Sequence, residues 1–117
     1  MKSLIAPAAV VLLTVSGLAS GGNLSFLKDA PAAYFDADDT RLLEQAVHNA
    51  LENSAVGEIT GWHNEKTGHF GKLKVLENYE ADGSPCRRLQ IANKAGGQQS
   101  NSAFHFCKQA DGTWKVR

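Results

Sequence analysis

Few residues in this 117-residue chain have types and spacing suited to chemistry. Imidazole is the first candidate. His63 and His69 flank a turn-like segment, and with His105 they could offer nitrogen ligands to a metal such as zinc. No Asp, Glu or Cys stands at a recognised ligand spacing from them, so no metal site and no other cofactor is expected. His48 falls on the polar side of a helical stretch and reads as solvated. Ser84, Ser100 and Ser102 lie in strand or turn positions without a nucleophile-elbow pattern. Glu58, Glu65, Glu77 and Glu80 hold carboxylates of the kind glycoside hydrolysis uses, but they read as exposed charges near strand ends and loops. Cys86 and Cys107, once bridged, leave no thiolate. The expectation is a protein that is not an enzyme, with no catalytic residue.

The elements that position these groups are legible from turn signals. Gly96-Gly97 lies midway between the two cysteines. A Gly-Gly pair between strand-like runs reads as a two-residue hairpin, because both central positions need φ > 0. Folded there, Ala95 faces Gln98 and Cys86 faces Cys107. That pair falls at a non-hydrogen-bonded position, where Cα atoms approach within disulfide range. From Gly57 onward the apolar period is two, and five strands are predicted at about 57–63, 69–77, 84–94, 98–108 and 113–116. The two Ala-Asp-Gly segments, at 81–83 and 110–112, suit three-residue loops. All three turns then agree on one apolar face, made of Leu73, Val75, Leu89 and Ile91 with Phe104, Phe106, Trp114 and Val116. Because a one-residue slip inverts a face, the agreement supports the register. The disulfide is expected on the opposite face.

A helix precedes the strands. Asp38 is the expected N-cap, with Asp36 and Asp39 adding negative charge at the positive end of the dipole. Leu43, Val47, Ala50 and Leu51 form a stripe at i, i+4, i+7 and i+8, widened by Leu42 and Ala46. Gly57 marks its latest end. The predicted fold is α+β: one amphipathic helix on a four- to five-stranded antiparallel sheet with one cross-strand disulfide.

Before the helix the chain reads as a leader and an arm. Lys2, the apolar run Leu4 to Val15 and Gly17-Leu18-Ala19 make residues 1–19 an expected signal peptide. Residues 20–35 are an arm or linker whose Leu24, Phe26, Leu27, Tyr34 and Phe35 are apolar enough to dock. Residues 36–117 form the domain. No later stretch approaches membrane-spanning length. The chain has 12 basic and 12 acidic residues, a balance that argues against a nucleic-acid binder. A leader with two cysteines implies export to an oxidising compartment.

The face carrying the disulfide is the expected binding surface. Lys72, Lys74, Arg88 and His105 lie there, with Phe70 and Trp62 as its aromatic members if a five-residue loop closes the first hairpin. A four-residue loop puts Trp62 on the core face instead. Such a surface suits an anionic envelope polymer or an envelope protein. Arg87, beside Cys86, reads as a structural residue at the core edge.

The segment from Ala50-Leu51-Glu52 to the C-terminus resembles the C-terminal domain of the bacterial 17-kilodalton outer-membrane surface antigens. The matching residues are Trp62-His63-Asn64, Thr67-Gly68, Gly71, Tyr79, Asp82-Gly83, Cys86-Arg87, Cys107 and Asp111-Gly112-Thr113-Trp114. The resemblance implies an envelope protein, periplasmic or outer-membrane-associated, with a small helix-plus-sheet domain and no assigned catalysis. Many relatives are lipoproteins, but Leu18-Ala19-Ser20 is followed here by Gly21, not cysteine. The glycine-zipper segment that often precedes this domain is missing too. A binding or structural role is the leading expectation. The alternative is a small secreted inhibitor or modulator of an envelope-directed enzyme such as a lysozyme.

Overall fold

The computed structural model describes residues 26–27 and 30–117. The expected signal peptide, Leu24 and the start of the arm lie outside the described residues. A 3-10 turn (Pro31–Tyr34) leads into helix α1 (Ala37–Asn53), followed by β1 (Ile59–His63), β2 (Phe70–Ala81), β3 (Ser84–Ala95), β4 (Gln98–Lys108) and β5 (Trp114–Val116). The strands form one antiparallel meander in the order β1-β2-β3-β4-β5. The α+β architecture matches the sequence reading.

The helix starts two residues earlier than its acidic cluster suggested. Asp36, not Asp38, is the N-cap. Its backbone is extended, and its carboxylate accepts the Asp39 N–H at 2.7 Å while the Asp39 carboxylate accepts the Asp36 N–H at 3.0 Å. This reciprocal pair is a capping box with Asp at its third position. The helix ends at Ser54, which is extended and donates its N–H to the Ala50 carbonyl. Leu43, Val47, Ala50 and Leu51 are all buried, as their spacing implied.

The Gly96-Gly97 hairpin holds as expected. Both glycines have positive φ, and the ladder runs from Ala95–Gln98 to Cys86–Cys107 without a slip. The loop at 110–112 also has the expected length, with the Gln109 N–H bonded to the Thr113 carbonyl and Phe106 paired with Val116. The hairpin between β2 and β3 differs. Its ladder closes at Ala81–Ser84, so Asp82-Gly83 is a two-residue turn with both φ values positive. The extra residue sits instead at Leu76, where the register shifts between Val75 and Glu77. This bulge restores the expected Val75–Leu89 and Leu73–Ile91 pairs.

The core lies between the sheet's inner face and two covers. Helix α1 packs over β1 and β2, and the 3-10 turn contacts β3 and β4. Phe26 stands edge-on to Phe104 and Phe106, with ring centroids at 4.8 and 5.5 Å. Pro31 is buried, and Phe35 stands edge-on to Trp62 at 5.3 Å. The helix stripe alone therefore does not cover the sheet. The arm's apolar residues complete the cover, because one helix spans only part of a five-stranded surface.

Candidate functional site

Three polar junctions fix the helix to the sheet, and the sheet's outward face is left open by all of them. The first junction is Asp39, whose side chain is 0% exposed. Its Oδ1 accepts from Asn64 Nδ2 at 2.8 Å and Thr67 Oγ1 at 2.9 Å. Its Oδ2 lies 2.8 Å from His69 Nδ1, besides taking the Asp36 N–H. Burial pushes the Asp39 carboxyl up, but the Asp36 N–H together with His69, Asn64 and Thr67 outweighs it and holds the group below its ordinary value. The β1–β2 loop is thereby pinned to the first turn of α1. His69 is committed to Asp39 and stands on the loop's inner side, while His63 is exposed.

The second junction is Arg87. Its guanidinium donates to the carbonyls of Ala50 and Leu51 at 3.0 and 2.9 Å, and to that of Ser54, while its Nε donates to Asn78 Oδ1 at 2.7 Å. These carbonyls lie at the helix C-terminus, where the backbone runs out of N–H donors and a cation is also favoured by the dipole. The structural reading of Arg87 thus acquires a specific cause. At the far edge, Trp114 Nε1 donates to Glu52 Oε2 at 2.7 Å, and this bond together with Lys108 holds the Glu52 carboxyl below its ordinary value despite partial burial.

The first hairpin takes the four-residue loop, residues 65–68, closed by the Asn64 N–H to the His69 carbonyl at 2.9 Å. Trp62 therefore pairs with Gly71 and is buried on the core face, 6% exposed. Its Nε1 donates to Asn93 Oδ1 at 3.0 Å. Trp62 is accordingly not part of the outward face, a correction to the aromatic surface suggested by the five-residue loop. Phe70 remains outward and is 37% exposed.

The other expected face residues are brought together. Lys72, Lys74 and Arg88 share the outward side with the disulfide, since each stands at odd spacing from the core residues Leu73, Val75, Leu89 and Ile91 of its own strand. Arg88 lies 3.9 Å from Glu77. His105 Nδ1 is 2.6 Å from the Tyr79 hydroxyl, with the two rings edge to face. Cys86 and Cys107 are bridged on this side, with Cα atoms 4.0 Å apart. Sequence reading passed over Lys94 and Lys115, which pair with Phe70 and Cys107 and join the same face. Among the described residues, its ladder positions carry five Lys or Arg side chains against one acidic one, Glu77. Lys72, Lys74 and Lys94 have no ion-pair partner among the described residues, whereas Arg88 and Lys108 do.

A model of a family described as the 17 kDa outer membrane surface antigen matches residues 49–115, more than half of the chain. The chain belongs to this family. No curated protein and no solved structure matches it. Surface-antigen membership suggests an envelope-associated, non-enzymatic protein. The residues that first suggested the family have architectural roles here. Asn64 and Thr67 hold Asp39, and Gly71 leaves room for the Trp62–Asn93 bond. Asp82-Gly83 makes the tight turn, Arg87 caps the helix, and Asp111 accepts from the Thr113 N–H and hydroxyl. No helix among the described residues is long and apolar enough to cross a membrane.

Proposed function

We propose that this surface antigen is a non-catalytic binding protein of the bacterial envelope, and that it engages an anionic envelope polymer through the outward face of its sheet. One observation carries the reading: on a chain with equal numbers of acidic and basic residues, the ladder positions of this face collect five cations against one anion among the described residues. Such a concentration of one sign raises the local density of oppositely charged partners and guides their approach. Many of the family residues sit at junctions and turns and maintain the platform, while His63, Tyr79, Cys86 and Cys107 lie on its open face. The disulfide stiffens that face by joining its two central strands.

Retention of the mature protein on purified lipopolysaccharide and on cell-wall preparations tests this. Lys72→Glu combined with Lys74→Glu should abolish retention while far-UV circular dichroism and the unfolding midpoint stay unchanged, because neither lysine is in the core. Retention should also weaken as salt shortens the Debye length from about 30 Å at 0.01 M to about 8 Å at 0.15 M. Undiminished retention of the double variant would refute the proposal.

A further inference from the structure

The outward face is not uniform. At its β1–β2 edge lies a shallow concavity of about 530 Å³, bordered by Ile59, Gly61, His63, Phe70 and Lys72. That volume falls within the roughly 300–1,000 Å³ typical of small-ligand sites. Gly61 gives it a bare backbone floor. The glycine is required by packing, since a Cβ there would stand 2.5 Å from the Gly71 carbonyl oxygen. Two of the chain's exposed large apolar residues, Ile59 at 64% and Phe70 at 37%, meet at this one spot. Three lysines without an ion-pair partner among the described residues surround it. Lys72 pairs with Gly61, Lys74 with Ile59, and Lys94 with Phe70.

This combination has a specific chemical reading. A cationic rim alone would attract any polyanion. An exposed aromatic ring, an aliphatic wall and a backbone floor add a place for a flat-faced ring with C–H groups, and the imidazole of His63 adds a hydrogen-bonding group. We infer that the concavity is a subsite for one negatively charged sugar ring of an envelope glycan. The ring's apolar side lies on Phe70 and Ile59, and its carboxylate or phosphate meets Lys72 with Lys74 or Lys94. The inference rests on the outward-face reading and narrows it from a charged surface to a place on that surface.

The test uses the mature protein with tetragalacturonic acid as the acidic probe and maltotetraose as the neutral one, followed by ¹H–¹⁵N chemical-shift titration. The subsite predicts shifts centred on residues 59–63 and 70–72 with the acidic probe. It also predicts at least tenfold weaker binding of maltotetraose. Phe70→Ala should weaken the acidic probe by about tenfold, and Phe70→Trp should restore it. An unchanged amide spectrum outside the concavity establishes that each variant is folded. If Phe70→Ala binds like the wild type while Lys72→Glu with Lys74→Glu does not, the subsite is overturned and the charged face stands. If neither change matters, both readings fall. Equal binding of the two sugars, or preferential capture of an extended peptide along the free edge of β1, also overturns the subsite.

Discussion

Replacing Asp39 should cost far more than an N-terminal helix residue ordinarily does. In Asp39→Ala, half of the capping box is lost, worth about 1 kcal/mol. Asn64, only 5% exposed, loses the acceptor for its amide, and an unsatisfied buried donor costs about 1–3 kcal/mol. Thr67 and His69 are partly exposed, so water replaces much of what they lose, and roughly 1 kcal/mol covers both. Removing the carboxylate also relieves its own desolvation, which favours the lower part of the resulting range. The expected loss is about 3 kcal/mol, or roughly 10–25 °C in Tm for a domain of this size. Asp39→Asn keeps an acceptor for Asn64 and Thr67 but turns an NH₂ toward the other donors, so an intermediate loss is expected. Urea unfolding followed by Trp fluorescence reads both, because Trp62 is in the core.

The same residue predicts a pH dependence of definite sign. Its folded carboxyl is held below the ordinary value, so the unfolded chain binds more protons as pH falls through about 3.9. The stability Asp39 contributes is complete above about pH 5 and is lost as pH falls toward its folded value. Wild type should therefore lose more stability than Asp39→Ala between about pH 5 and pH 3. A loss under about 1 kcal/mol at pH 7, or parallel pH curves for the two proteins, would refute the reasoning.

Three further outcomes follow from the junctions. Arg87→Ala should destabilise by about 2–3 kcal/mol by removing the donor shared by the Leu51 and Ser54 carbonyls at the end of α1, and Arg87→Lys should recover less than half, because an ammonium cannot fork across them; chemical denaturation measures both. Gly71→Ala places a methyl against Trp62 Nε1 and Asn93 Oδ1, so a loss of about 1–3 kcal/mol with a red-shifted Trp emission is expected. Reducing the Cys86–Cys107 bridge, whose partners stand 21 positions apart, should lower stability by roughly 3 kcal/mol on the chain-entropy model, seen as a shifted urea midpoint with and without reductant.

Local signals account for what the sequence made legible. Gly96-Gly97 needs nothing distant to set its turn, and it carried the β3–β4 register and the disulfide with it. The Val75–Leu89 pairing was read correctly for a different reason than the real one. Face matching demanded an extra residue between the strands, but only backbone geometry shows that it sits in a bulge at Leu76 rather than in the turn. Asp36-x-x-Asp39 was a readable capping box, masked by a third aspartate between its ends. The hub role of Asp39 was not readable, because Asn64, Thr67 and His69 lie 25 to 30 positions away and no periodicity links them. That hub selects the four-residue loop and thereby turns Trp62 inward. Of the expected binding face, Lys72, Lys74, Arg88 and His105 could be placed by strand alternation alone. Lys94 follows from the same alternation, but the concavity at Gly61 emerges only when neighbouring strands are set side by side.

The central claim is that the outward sheet face is where this surface antigen meets the envelope. Its most direct test is line broadening in the ¹H–¹⁵N spectrum of residues 20–117 on adding purified lipopolysaccharide. The account predicts selective attenuation at outward positions of β1 to β4, with Lys72, Lys74 and Lys94 among the strongest, and reversal by salt. Attenuation centred on α1 and the Asn64–His69 loop, or none at any concentration, would contradict it.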